Sequence, residues 1–341
     1  MRRSGQKAFT DFLGDSQKMP SAGPSEVTIA PLEKEELSEA DHILRLAFGT
    51  FLGVPEPAKI FADKQIIANR WKMNPSWVLG ARLDGELVGS NVLTRWGKFG
   101  WFGPLTVRPD LWDRGIAGKL MGPTMELFSS WKTTHEGLMT FANSPKHLGL
   151  YQKFGFHTRS LTAIMEKKVE APSKKHRRVS VETFSGLSGD KERGAVLREC
   201  REMTDGILAG LDVSEEIKAV QELMLGDTVL VRDGSRVAGF AVCHVGPNTE
   251  AGSGTCYIKF GLASGGTGAT GVFRGLLAAC ESFASQKGAE ALEAGVNLSR
   301  TEAYVGMQAH GFRTEFQGVS MQRPNEPGYN RPGVFAIDDL R

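Results

Sequence analysis

Two copies of one pattern, set 156 positions apart, restrict what this 341-residue chain can fold into more than any other feature. In the first half, WVLGARLDGELVGSNVL (77–93) reads as two strands joined at Asp84-Gly85, a dipeptide suited to the positive-φ positions of a tight hairpin. In the second half, TVLVRDGSRVAGFAVCHV (228–245) does the same with Asp233-Gly234. Each hairpin is followed by an aromatic-rich strand, over 101–107 and 257–262, then by a glycine-containing loop and an amphipathic helix. The apolar stripe is Ile116, Leu120, Leu127 and Trp131 in one helix. In the other it is Val272, Leu276, Cys280 and Phe283, with Lys287 at its end. Gly271 follows Gly115 by 156 positions (271 − 115), and the Gly311-Phe312 pair follows Gly155-Phe156 by the same number (311 − 155). Two separated landmarks with one offset indicate tandem copies of one fold, because chance rarely preserves register over such a span.

The length suits two domains, and 40% hydrophobic residues supply two cores. The expected division is a flexible extension over 1–24, a first domain over 25–169, a linker over 170–178, a second domain over 179–323 and a tail over 324–341. The linker, EAPSKKHRR, carries Pro and a short basic run. Nothing aromatic interleaves its charges, so it reads as a solvated connection and not as a nucleic-acid patch. The tail is rich in Pro, Gly and Asn and is expected to wrap a surface, docking Val334, Phe335 and Ile337 onto a core.

Lys and Arg number 41 against 39 Asp and Glu, which lacks the basic excess of a dedicated nucleic-acid binder. No run of eighteen apolar residues is present to span a membrane. The first 25 residues have no apolar core or cleavage pattern, and a cytoplasmic location is expected. Cys200, Cys243, Cys256 and Cys280 stand at wide spacings without a Cys-x-x-Cys or Cys/His cluster. They read as buried reduced thiols, and no metal site is expected.

The chemistry concentrates in GPLTVRPDLWDRGIAGKLM (103–121). A β-branched strand ends at Val107, Arg108-Pro109-Asp110 breaks it, and a helix begins near Gly115. The first N–H groups of a helix lack intrahelical acceptors, and together with the helix dipole they attract phosphate. Gly115 and Ala117 keep side chains out of the way, and Lys119 adds a cation one turn in. Taken alone, the segment is equally a plain strand-to-helix connection.

Downstream, FANSPKHLGLYQKFGFHTR (141–159) gives a strand ending near Asn143, a short helix, and Tyr151 four residues before Gly155-Phe156. With both segments in order, the sequence over about 27–169 resembles the GNAT superfamily of N-acetyltransferases. In that family a V-x-P-x-x-(Q/R)-x-x-G-x-(G/A) loop binds the CoA pyrophosphate, and an Asn followed by (F/Y)-Y-x-x-x-G-F closes the site. The resemblance implies an α+β (α/β) fold with two tandem GNAT-like domains, each a mixed, mostly antiparallel twisted sheet flanked by helices. It implies acetyl-CoA as co-substrate and an amine of a small molecule or peptide as acceptor, attacked directly in a ternary complex. The backbone of Leu105, Thr106 and Val107 would pair with the pantetheine arm. The amides of Asp113, Arg114, Gly115, Ile116, Ala117 and Gly118 would hold the pyrophosphate, with Lys119 beside them. Asn143 would line the CoA side, and the Tyr151 hydroxyl would stand near the thioester sulfur as general acid, a role that typically contributes about 10²–10⁴-fold. A non-catalytic acyl-CoA-binding or regulatory module is the competing reading.

Two residues depart from the pattern. Trp112 stands where the family has Gln or Arg, and Pro123 falls inside the predicted helix, where a kink is expected. Glu136 is a candidate general base, although a surface role suits it better, and His135 and His147 read as surface residues. Tyr151 has an alternative as an aromatic anchor for the next strand. The 156 offset pairs Gly115 with Gly271, Ala117 with Phe273 and Tyr151 with Met307. Phenylalanine would crowd the phosphate approach and methionine has no proton to donate, so the second half reads as a degenerate copy. It is expected to pack on the first and shape the acceptor cleft, or to mediate homodimer formation. Phe48, Phe51, Trp71 and Trp77 are candidates for an apolar acceptor pocket, or for ordinary packing of helices on the sheet.

Overall fold

The computed structural model describes residues 26–170 and 181–341. The expected extension over 1–24 lies outside them, as does the linker from its second residue on. The first half runs β1 (Val27–Pro31), α1 (Leu37–Leu52), α2 (Ile67–Met73), β2 (Val78–Leu83), β3 (Glu86–Trp96), β4 (Phe99–Val107), α3 (Ile116–Ser130), β5 (His135–Thr140), α4 (Pro145–Gln152) and β6 (His157–Lys168). The second runs β7 (Glu182–Thr183), α5 (Asp190–Ile207), α6 (Ser214–Glu222), β8 (Gly226–Asp233), β9 (Arg236–Gly246), β10 (Gly252–Ala263), α7 (Ala269–Gln286), β11 (Ala291–Asn297), α8 (Thr301–Ala309), β12 (Arg313–Arg323) and β13 (Phe335–Ile337).

Local signals explain the elements. In α1 the buried residues Ala40, Ile43, Leu44 and Ala47 recur at helical spacing, which gives the helix one face for the sheet. Strand β3 is buried along nearly all its length, as expected where helices cover both faces of a sheet. Both hairpins form where the Asp-Gly dipeptides stand, with Asp84 and Gly85 at φ 52° and 87°. Pro123 does not break α3, which runs on to Ser130, and Thr124 returns its hydroxyl to the Leu120 carbonyl at 2.8 Å.

The two copies do not form separate sheets. Thirteen strands make one mixed sheet in the order β1-β2-β3-β4-β5-β12-β6-β11-β10-β9-β8-β7, with β13 added on β10. Among the described residues only β4–β5 and β10–β11 pair in parallel. The last strands are exchanged. Val319 of β12 pairs with Thr140 of β5 on one side and Leu161 of β6 on the other, while β6 lies against β11 with Ala163 opposite Val296. Each copy therefore borrows its neighbouring strand from the other.

The core is shared as well. Trp96, Phe99 and Trp101 of the first half pack in one cluster with Phe240, Phe260 and Leu340 of the second. A fully buried set of charges bridges the halves. Arg70 pairs with Glu216 at 2.8 Å and Glu250 at 2.6 Å, and Lys259 donates to Glu250 at 2.8 Å. The Lys259 ammonium also sits 4.6 Å from the Trp101 ring centre, and His244 lies buried beside Glu216. Two cations and two anions leave this interior electrically balanced, which is the condition for burying them.

Candidate active site

Strands β4 and β5 pair only where Phe99, Gly100 and Trp101 meet His135, Glu136 and Gly137, and then separate into a fork. Beyond that point Leu105, Thr106 and Val107 pair with β3 alone, so their other edge faces the fork without a partner strand among the described residues. The loop leaving β4 is pinned by side chains. Arg108 pairs with Glu86 and Asp110 at 2.9 Å each, and the Trp112 indole donates to the Val107 carbonyl at 2.7 Å. Lys146 reaches Asp113 at 2.6 Å and lies over the Trp112 ring. Trp112 thus closes the turn, which explains how the loop holds without the polar residue usual there.

Gly115 caps α3 at φ 78°, a conformation side chains resist, and no side chain caps the helix. The amides of 113–118 meet no acceptor among the described residues, and the space above Gly115 and Gly118 is open. Such a helix N-terminus offers hydrogen bonds and positive potential to an anion. Lys119 is exposed one turn in. Strand β5 ends at Thr140, so Asn143 lies in the exposed turn before α4 and not on the strand. Ser144 begins α4 by accepting from the His147 amide at 3.5 Å.

Tyr151 sits in the last turn of α4, 6% exposed, with its ring 5.5 Å from that of Phe102 on β4. Its hydroxyl makes no hydrogen bond with the described residues, and burial pushes its pKa well above the usual phenol range. The residue is a buried anchor and a protonated phenol at once. Two expectations are corrected nearby. Glu136 is buried, not on the surface, and both its oxygens are engaged, by Thr133 and by Arg323 at 2.6 Å each. His135 is buried too, stacked on Phe99 and hydrogen-bonded to Gln322, and burial lowers its pKa. His147 is half-buried between Phe51 and Phe141, with burial and then Lys146 lowering its pKa.

The expected aromatic pocket divides. Phe48 and Phe51 gather on Phe141, at 6.0 and 4.4 Å, and Phe141 meets Phe316 of the exchanged β12 at 5.7 Å. Trp71 instead donates to the Leu32 carbonyl, and Trp77 packs on Trp131. Phe141 adjoins the Asn143 segment and was within reach of sequence reasoning. Phe316 was not, since only strand exchange brings it here.

The second copy repeats the fork and fills it. Strands β10 and β11 pair from Thr255 to Ile258, and beyond that β13 takes the edge, with Ile337 opposite Gly261, Ala336 opposite Leu262 and Phe335 opposite Ala263. Gly261 lies 156 positions after Leu105 (261 − 105), so the tail occupies the edge that has no partner strand among the described residues in the first copy. Side chains lock it in place. Tyr257 donates to Asp339 at 2.8 Å, Arg300 to Asp338 at 2.7 Å, and a Cβ on Gly295 would collide with Asp339. The expected docking of Val334, Phe335 and Ile337 is thus into a groove between strands, with all three buried.

The glycine register is also corrected. Helix α7 is capped by Gly268 at φ 88°, the counterpart of Gly115, because its loop is three residues shorter and its helix three longer. Ala117 therefore matches Thr270 by position from the cap, and Phe273 is a core residue one turn in, 5.4 Å from Phe335. Phe273 does not crowd the loop. Met307 does stand at the place of Tyr151, fully buried. All four cysteines are free and buried, and Cys243, Cys256 and Cys280 meet in the core despite their wide spacing in sequence.

Residues 41–156 match the model of the acetyltransferase (GNAT) family. No curated protein matches the chain. Among solved structures, a candidate acetyltransferase of Pyrococcus horikoshii is similar over 96% of this chain and 99% of its own, at 16% identity and a TM-score of 0.66. A GCN5-related N-acetyltransferase of Sphaerobacter thermophilus is similar over 91% and 98%, at 15% identity and a TM-score of 0.59. At these identities the likeness is one of fold, and it runs through both halves. No described helix is long and apolar enough to cross a membrane. The fork and the helix-capping loop both lie within residues 41–156, the stretch that matches the acetyltransferase (GNAT) family model.

Proposed function

We propose that this protein is an acyl-CoA-dependent N-acyltransferase, working with acetyl-CoA on an amine through the site of its first half alone. The observation that carries the reading is the contrast between the two forks: the edge at Leu105 has no partner strand among the described residues, and its counterpart at Gly261 is paired with the protein's own tail. Acetyl-CoA supplies an activated acyl group. The residues present suit it: an unpaired strand edge over 105–107 for an extended amide-bearing arm, and acceptor-less amides over 113–118 for a pyrophosphate. Asn143 and Lys119 border that path. Tyr151 keeps its proton at neutral pH, so its hydroxyl can donate to a thiolate leaving beside it. The acceptor nitrogen gains the acyl carbon as the thioester C–S bond breaks, and the proton it sheds balances the one the thiolate takes. Glu136 is committed to Arg323 and Thr133, so the acceptor's proton leaves by another route, such as solvent in the cleft.

The test is release of free CoA thiol from acetyl-CoA by the full chain across a broad amine panel. Amine-dependent release that falls in Tyr151→Phe supports the reading. Tight acetyl-CoA binding with no release from any amine would instead favour a binding or regulatory module.

A further inference from the structure

The aromatic rings at His147, one turn before Tyr151 on α4, carry information about the acceptor. Phe141 after β5 lies between Phe51 of α1, tilted at 4.4 Å, and Phe316 of β12, edge-on at 5.7 Å, and Phe51 and Phe141 flank His147 at 5.0 and 5.9 Å. His147 precedes Tyr151 by four residues on α4, so the rings that flank His147 stand one helical turn from the proposed acid. Phe51 and Phe316 are 37% and 38% exposed, whereas Phe99, Phe102, Phe128 and Phe156 are at most 2% exposed. Ring surface left uncovered at a cleft is surface that a ligand can cover.

Building on the transferase reading, we infer that the acceptor is a primary amine on a flat apolar body, seated over Phe51, Phe141 and Phe316, and that the second half sets this preference through Phe316. The charges agree. Between residues 47 and 75 the only carboxylates are Glu56 and Asp63, and both are occupied. Glu56 pairs with Lys59 at 2.6 Å, and Asp63 accepts from the Ser253 amide and hydroxyl at 2.9 and 2.6 Å. Burial and Lys146 keep His147 neutral. Ring faces attract a single ammonium, and nothing within the cluster offers a countercharge to a second one. Placement of Phe316 is specific. A bulge between Thr314 and Phe316 interrupts the β12–β6 register, and bulges re-aim the side chains beside them. Glu166 and Glu315, on the same two strands, have no ion pair among the described residues and would suit a polycation, which makes spermidine the fair competitor.

The experiment measures CoA release by the full chain at saturating acetyl-CoA with 2-phenylethylamine and with spermidine. The expected result is a kcat/KM at least about tenfold higher for 2-phenylethylamine, lowered about tenfold by Phe316→Ala, mainly through KM. Phe316→Leu should recover part of the loss, and acetyl-CoA affinity and melting temperature should match the parent in both variants. Preference for spermidine, turnover only of amines without an apolar body, or an unchanged ratio in Phe316→Ala would each overturn the inference and leave the transferase reading standing. Absence of release from every amine, with acetyl-CoA still bound, would overturn that reading and this one with it.

Discussion

Ile337 pairs with Gly261 along the strand edge whose first-copy counterpart, at Leu105, has no partner strand among the described residues. A strand added to that edge satisfies the same backbone groups that an extended cofactor arm would use, and the buried Phe335 and Ile337 each add about 1.5–3 kcal/mol of apolar burial. The full chain should therefore bind one acetyl-CoA. Calorimetric titration giving two equivalent sites would show that the tail yields its groove.

Tyr151→Phe removes one hydroxyl from a buried ring and should leave the fold intact. We expect kcat to fall about 10²–10⁴-fold with acetyl-CoA affinity unchanged, as for loss of a positioned proton donor. Because burial raises the Tyr151 pKa, the residue keeps its proton above the pH at which a free phenol loses it. Activity should show no alkaline decline from this group between about pH 7 and 9. A decline in that range that disappears in Tyr151→Phe would contradict the assignment.

The exchanged strands make the halves interdependent. Residues 26–170 expressed alone would expose the edges of β5 and β6 that β12 and β11 cover. Neither half alone should give a monomeric species with a cooperative melt, whereas the two halves co-expressed as separate chains should associate. A well-folded, monomeric single half would refute this.

Arg70 faces two buried carboxylates, and Arg70→Met would leave Glu216 without its partner while Glu250 keeps Lys259. The expected loss is about 3–5 kcal/mol, read as a lower denaturation midpoint. Arg70→Met combined with Glu216→Gln should be less destabilised than Arg70→Met alone, because the one cation and one anion left, Lys259 and Glu250, still pair. Equal stability of the single and double variants would argue against the pairing.

The same cluster sets an acid limit. Burial pushes His244 down to about 4, so between there and its ordinary 6.5 the unfolded chain binds a proton that the folded chain does not. Glu250 is held low by Arg70 and Lys259 against the opposing effect of burial, and its contribution is present above the ordinary carboxylate range and lost as the pH falls through its folded value. Both signs agree: melting temperature should drop as the pH is lowered from 7 towards 4. His244→Phe should flatten the part of that drop between about pH 6.5 and 5.

Much of the fold was legible because it is written locally. The Asp84-Gly85 and Asp233-Gly234 turns, the stripe of α3 and the order of elements each depend on residues within a few turns of one another. The loop at Gly115 and the place of Tyr151 on α4 followed from short motifs for the same reason. Spacing misled where a loop length differed: Gly271 keeps the 156 offset, but Gly268 has the cap, since a shorter loop and a longer helix cancel between the landmarks. Residue class misled at Glu136 and His135, where a charged or polar type suggested the surface and specific partners in β12 made burial possible.

The residues in order, without coordinates, establish that two copies of one unit exist and which of them keeps a proton donor, because Tyr151 and Met307 differ in chemistry wherever they are placed. Packing in three dimensions had to settle that β6 and β12 change places, that the tail fills the second fork and that Phe316 packs on Phe141 of the first half. Strand pairing is set by backbone hydrogen bonds that nearly every residue type offers, so equivalent edges compete for partners and only the packed whole selects among them.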